Sequence, residues 1–192
     1  MKVAVGCDHG GFHLKQTVLD TLRDLGVEFD DLGTYSDGSV DYPEFGKKVA
    51  TGVAAGRYDR GILICGTGLG MCITANKVAG VRAVTAHDVF SAEMSRRHNN
   101  ANVLTMGERV VGPGVARQVV EVWIKTDFEG GRHARRVDQM NALDAVRDHG
   151  DGAHGTAADA VSYLSATSSG DGGSDKPSEQ ALAADVAGGG GC

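Results

Sequence analysis

No apolar run in this 192-residue chain is long enough to span a bilayer, which argues against a helical membrane protein. The start, MKVAVGCDHGG, offers only about five apolar residues before charge and glycine intervene, too few to read as a secretory leader, so a cytoplasmic protein is expected. The four cysteines, Cys7, Cys65, Cys72 and Cys192, form neither a CxxC pair nor the paired clusters of a zinc site, which excludes a disulfide scaffold as the source of stability. Basic excess is also absent. The net charge is -6, but residues 149–192 hold six acids and one lysine, or -5, leaving 18 basic against 19 acidic residues, or -1, over 1–148. Neither part offers a basic face for a nucleic acid.

Five short, mostly apolar runs are present: KVAVGC, VEFDDL, GILICG, RAVTAH and ANVLTM. They alternate with helical segments at about 11–25, 43–55, 69–77, 89–97 and 114–126, a pattern of parallel βαβ units with helices on both faces of the sheet. The spacing predicts an α/β fold: a Rossmann-like three-layer sandwich around a parallel sheet of about five strands. Beyond the glycine pair of DFEGGRHARRV, helical periodicity resumes at Val137, Met140, Leu143 and Val146. This terminal helix is expected to leave the sheet and dock on another subunit. From His149 the character changes, since ten of the last 44 residues are glycine. The expected organisation is therefore a domain over 1–148 and a disordered Gly/Ala/Asp-rich tail over 149–192.

The segment RGILICGTGLGMCITANK carries the chemistry. Ligands of open parallel sheets bind where strand carboxyl ends meet the following loops, and Cys65, Gly66, Thr67, Gly68, Leu69 and Gly70 occupy such an end. The glycines let backbone amides approach an anion or oxyanion. A P-loop fails, because no lysine follows until Lys77. A dinucleotide fingerprint needs GxGxxG, whereas this turn is GxGxG after the third strand; the acid Asp88 some twenty residues on keeps a nicotinamide enzyme as an alternative. A turn that merely binds a phosphosugar also fits. Cys65, facing a helix N-terminus, is placed for a thiolate that takes a proton from a carbon beside a carbonyl.

Other polar residues gather at this edge of the chain's pattern. Asp8 and His9 close the first strand; Asp8 also suits a helix cap. His98 and Asn99 lie between the fourth helix and the fifth strand, and His98 is suited to general acid work. Arg109 follows the fifth strand, and Arg132, Arg135 and Arg136 cluster beyond it, as a solvated face or as a clamp for a phosphate dianion.

Taken together and in order, GCDHGGFHLK, DYPEFG, ILICGTGLGMCITANK, RAVTAHD, RRHNNANVLTMGERVVG and FEGGRHARRV resemble the B-type ribose-5-phosphate isomerases, over about 1–147. That family also holds allose-6-phosphate and galactose-6-phosphate isomerases. The resemblance implies a metal-free, cofactor-free aldose–ketose isomerase of the pentose phosphate route. It also implies a homodimer or dimer of dimers, with its active site near the subunit interface and no nucleic-acid or membrane partner. By the same resemblance Cys65 is the base acting through a cis-enediolate, Gly66 to Gly70 with the Thr67 hydroxyl bind the oxyanion, and His98 opens the sugar ring. Asp8 and His9 place the substrate, Tyr42 and Asn99 contact the sugar, and Arg109, Arg132 and Arg136 hold the phosphate, some from a neighbouring subunit. A serine branch of the family uses a later glutamate as base; MCITANK has no acid before Lys77, so the cysteine branch is expected. A six-carbon 6-phosphate and a non-catalytic phosphosugar-binding module are the remaining alternatives.

Overall fold

Near-continuous apolar runs let the strands over Lys2–Cys7, Arg60–Cys65 and Val103–Gly107 bury both of their faces. Lys2–Cys7 (β1), Glu28–Asp31 (β2), Arg60–Cys65 (β3), Ala83–Thr85 (β4) and Val103–Gly107 (β5) pair in the order 2-1-3-5-4, every neighbouring pair parallel. The helices are Phe12–Asp24 (α1), Tyr42–Ala54 (α2), Leu69–Ala75 (α3), Val89–Asn99 (α4), Pro113–Lys125 (α5) and Arg132–Asp148 (α6). A 3-10 turn over His9–Gly11 precedes α1. The computed structural model describes residues 1–148, so the tail expected over 149–192 lies outside the described residues.

The core has two halves. Val3, Val5, Cys7, Ile62, Ile64, Leu104 and Met106 face Leu14, Val18 and Leu22 of α1 and Val119, Val120 and Trp123 of α5. Ala4, Leu63, Cys65 and Val103 point the other way, onto Val49 and Val53 of α2 and Met71 and Ala75 of α3. Cys65 therefore ends its strand on the face that carries α3. The expected α/β sandwich is the observed fold, and its strand order reverses direction at β1 and β3, where an open sheet leaves a crevice for a ligand.

Two boundaries differ from the sequence expectation. His98 and Asn99 form the last turn of α4 rather than a loop, and α4 stops at Asn100, which adopts left-handed backbone at φ 47°. The terminal helix begins at Arg132, one turn before the apolar spacing resumes, and packs against α4 of its own chain. Val137 is buried there, while Met140 and Leu143 remain 40% and 46% exposed. The carboxyl end of α5 is capped from a distance: Arg60 donates to the Trp123, Ile124 and Thr126 carbonyls, and Arg96 to those of Thr126 and Ala101. Burial and the neighbouring Arg60 charge pull Arg96 down to about 10. This cap ties the last turn of α4 to the segment that follows α5.

Candidate active site

The carboxyl ends of β1 and β3 are held side by side, Cys7 opposite Ile64, so the residues that follow them meet. Asp8, His9, Gly10, Tyr42, Cys65, Gly66, Thr67, Gly70 and Arg109 line one open cleft of about 260 Å3. Its floor is Cys65, 5% exposed, and the backbone N–H of Gly68 donates to Cys65 Sγ at 3.1 Å. Such a bond strengthens as the sulfur gains negative charge. The turn that delivers this amide requires glycine. Gly68 has φ +80°, and a Cβ there would stand 3.0 Å from the Met106 carbonyl carbon. Beyond it α3 opens, its first amide, that of Leu69, directed at Thr67 Oγ1 at 3.4 Å.

The walls are set by equally local chemistry. Asp8 accepts from the Gly10 N–H at 2.9 Å, the capping role its position predicts, and yet borders the cleft. Burial pushes its carboxyl above the usual carboxylate value, with the Gly10 amide pulling the other way. His9 accepts from the Val40 N–H through Nδ1 at 3.2 Å, so a neutral ring carries its proton on Nε2. Tyr42, the first residue of α2, lies against Gly70, where a Cβ would stand 2.9 Å from the ring. Arg109 is exposed, its amide bonded to the Gly66 carbonyl at 3.1 Å.

His98, Asn99, Arg132 and Arg136 are not among the residues lining this cleft. Leu69 is not either: its side chain is exposed, and Gly68 takes part through its amide alone. Asn99 instead lines a separate groove with Arg82, Met140 and Leu143. His98 belongs to a second cluster. Its ring stacks on that of His133, centroids 4.2 Å apart and planes within 6°. Glu129 Oε2 lies 3.8 Å from His98 Nε2 and 3.6 Å from His133 Nε2, and Arg97 grips the other carboxylate oxygen. The Gly130–Gly131 turn, both residues at positive φ, carries the chain from Glu129 into α6, where Arg132 sits beside His133 and Arg136 follows one turn later.

The ligating atoms of His98, Glu129 and His133 lie within 4.8 Å of one another. The arrangement nevertheless suits an anion better than a cation. Parallel stacked imidazoles cannot both aim in-plane lone pairs at one ion, Arg97 already occupies Glu129, and Arg132 Nε approaches His133 Nε2 at 3.5 Å. Burial first, then the charges of His98 and Arg132, push His133 below the ordinary histidine value. Arg97 holds Glu129 below the usual carboxylate range.

Sequence reasoning overlooked Gly10, Arg97, Glu129 and His133. Only the spacing in EGGRH, two side chains on either side of a glycine turn, hinted at the last two. The same fold recurs in proteins of known kind. Ribose-5-phosphate isomerase B of Escherichia coli is 48% identical over 147 residues, spanning 77% of this chain and 99% of that protein. D-erythrulose-4-phosphate isomerase of Pectobacterium atrosepticum is 38% identical over 78% of this chain and 99% of its own length. Among solved structures, Clostridium thermocellum ribose-5-phosphate isomerase B superposes with a TM-score of 0.75 at 50% identity, covering 77% of this chain and 99% of that one. Residues 3–140, the stretch that builds both the Cys65 cleft and the His98 cluster, match the Ribose/Galactose Isomerase family, and the chain belongs to it.

Proposed function

We propose that this protein interconverts D-ribose 5-phosphate and D-ribulose 5-phosphate, with Cys65 as the base. The observation that carries the reading is the Gly68 N–H held 3.1 Å from Cys65 Sγ at the floor of a cleft where β1 and β3 end. In the open-chain aldose, the Cys65 thiolate takes the proton from C2, and the electron pair moves to form a C1–C2 double bond with negative charge on O1. Amides of Gly66 to Gly70 and the Thr67 hydroxyl receive that oxyanion. The O2 proton then passes to O1, which becomes a hydroxyl, and as C2 becomes the carbonyl the thiol returns its proton to C1. Asp8, His9 and Tyr42 place the sugar, and Arg109 meets the phosphate from the same chain.

Ring opening needs an acid at the ring oxygen and a base at the anomeric hydroxyl, and His98 is the residue proposed for the acid. Because His98, Asn99, Arg132 and Arg136 stand outside the Cys65 cleft, the reading requires a second copy of the chain to supply them. A homodimer, or a dimer of dimers, is thus part of the proposal. Exposed Leu69 and Ile73 on α3, Phe90 on α4, and Met140 and Leu143 on α6 support it, since a lone soluble domain seldom leaves so many large apolar side chains uncovered. The family relationship supports the isomerase chemistry. The named sugars of the relatives described above have five and four carbons, which favours ribose 5-phosphate over a six-carbon phosphate and makes D-erythrulose 4-phosphate the first comparison substrate.

Turnover of ribose 5-phosphate by the purified protein in EDTA, beside Cys65→Ala, tests the proposal. Turnover by the parent and none by a folded variant is expected. An inactive parent that binds ribose 5-phosphate at full affinity would favour the binding-module alternative. We further propose that 149–192 is a dispensable appendage, so that a chain ending at Asp148 turns over at the parent rate.

A further inference from the structure

Resting on the reading of the Cys65 cleft as the isomerase site, we propose that Lys15 is a positioning residue for substrate binding, acting by fixing the loop that joins His9 to Tyr42. Two walls of the cleft come from segments far apart in sequence. His9 belongs to the turn that feeds α1, and Tyr42 opens α2 after ten residues, 32–41, without helix or strand. What holds that loop in place decides the width of the cleft.

Its start continues the sheet, with the Leu32 N–H on the Val5 carbonyl at 2.7 Å and the Thr34 N–H on the Cys7 carbonyl at 3.0 Å. Its end is tied by the Val40 N–H to His9 Nδ1 at 3.2 Å. Between these, Lys15 reaches from α1 with its ammonium buried, and donates to Asp31 Oδ2 at 2.8 Å and to the Thr34 carbonyl at 2.7 Å. The Tyr35 ring lies 4.8 Å from the same nitrogen, and the Tyr35 hydroxyl donates to the Asp31 carbonyl at 2.7 Å. One cation therefore joins the helix that follows His9 to the loop that leads to Tyr42.

The ammonium itself is shielded, the Lys15 side chain being 7% exposed. Beside the ammonium's acceptor, burial pushes the Cys7 thiol up to about 12, with the Lys15 charge only partly opposing. Losing one partner of a largely buried ion pair costs the other its compensation; without Lys15 the Asp31 carboxylate keeps its bond from the Gly33 N–H at 3.0 Å, but the Thr34 carbonyl loses its donor and the tie from α1 to the loop is gone. Neither Lys15 nor Asp31 lines the Cys65 cleft, and the effect reaches substrate only through His9 and Tyr42.

The test compares the full-length parent with Lys15→Met and Lys15→Arg, by steady-state kinetics on ribose 5-phosphate and by amide hydrogen exchange. For Lys15→Met we expect KM to rise tenfold or more, kcat to fall by less than threefold, and exchange to quicken in 32–41 while β1 and β3 stay protected. Lys15→Arg should recover most of the KM, because an open groove of about 370 Å3 beside Lys15 has room for the larger head. Should Lys15→Met fail to fold, Asp31→Asn, which keeps the lysine and weakens the pair, must show the same KM and exchange changes in smaller degree. Parent-like KM and loop exchange in a folded variant would overturn the proposal, as would quickened exchange spread evenly over the sheet. A parent without turnover on ribose 5-phosphate would instead defeat the reading on which the substrate effect rests, and the exchange data would still decide whether Lys15 fixes the loop.

Discussion

The two polar regions of this molecule are built on opposite principles. The Cys65 cleft is positioned by backbone: amides of the glycine turn, a 3-10 turn capped by Asp8, and strand ends locked by parallel pairing. The His98 cluster is made of side chains, Arg97 on Glu129 and His98 stacked on His133, gathered from the end of α4, the link after α5 and the start of α6. A backbone site is fixed as soon as the sheet forms and suits a reaction in which charge develops at one oxygen. A side-chain cluster of arginines and histidines suits gripping a dianion and moving a proton. On the proposed reading neither is a complete isomerase site by itself, which is why that reading places a subunit boundary between them.

Substitutions separate the two regions by the kind of damage they do. The largest effect is expected for Cys65→Ala, with kcat reduced roughly a thousandfold and KM little changed, as for loss of a proton-transfer group. His98→Asn should lower kcat roughly a hundredfold with ribose 5-phosphate, and less with a four-carbon substrate such as D-erythrulose 4-phosphate, which has no furanose ring to open. Equal losses on both substrates would remove the ring-opening role. Arg132→Ala should raise KM by about tenfold to a hundredfold, the worth of a charge-assisted bond to phosphate, and a loss confined to kcat would count against the clamp.

Smaller effects are matters of stability. Gly68→Ala forces a side chain into left-handed backbone beside Met106 and should cost about 1–3 kcal/mol in denaturant unfolding, while leaving the spectroscopic environment of the His98 cluster intact. At the bottom of the scale is a pH effect. His133 sits below its ordinary value in the folded protein, chiefly through burial, so the unfolded chain takes up a proton first as pH falls. Stability is then full above the unfolded histidine value and declines through the folded one; His133→Asn should flatten the melting temperature between about pH 7 and 5. An unchanged slope would mean that His133 is not buried in solution.

Much of the first region was legible in the sequence because it is local. GILIC followed by GTGLG declares a buried strand and a tight turn, and the alternation of five such runs with helices fixed the sandwich. The second region was not, since Arg97 and Glu129 are neighbours only through tertiary packing. RRHNN has no apolar period, so the end of α4 was read as a loop; the helix continues there because Arg96 is buried against the α5 carboxyl end. Likewise GGRHARRV fits a solvated face or a phosphate clamp alike, and neither reading marks His133, which is 7% exposed. Lys15 gave no signal, as a helix lysine is ordinarily a surface residue.

The most direct test of the divided site mixes two variants, Cys65→Ala and His98→Asn, each nearly inactive alone, under conditions that let subunits exchange. If one chain supplies Cys65 and its partner His98, random exchange in a two-fold dimer makes half of the pairs mixed, each with one intact site, and restores about a quarter of the parent activity. Activity that stays at the sum of the two separate variants, with mixed dimers demonstrated by mass, would contradict the account and return both residues to a single chain.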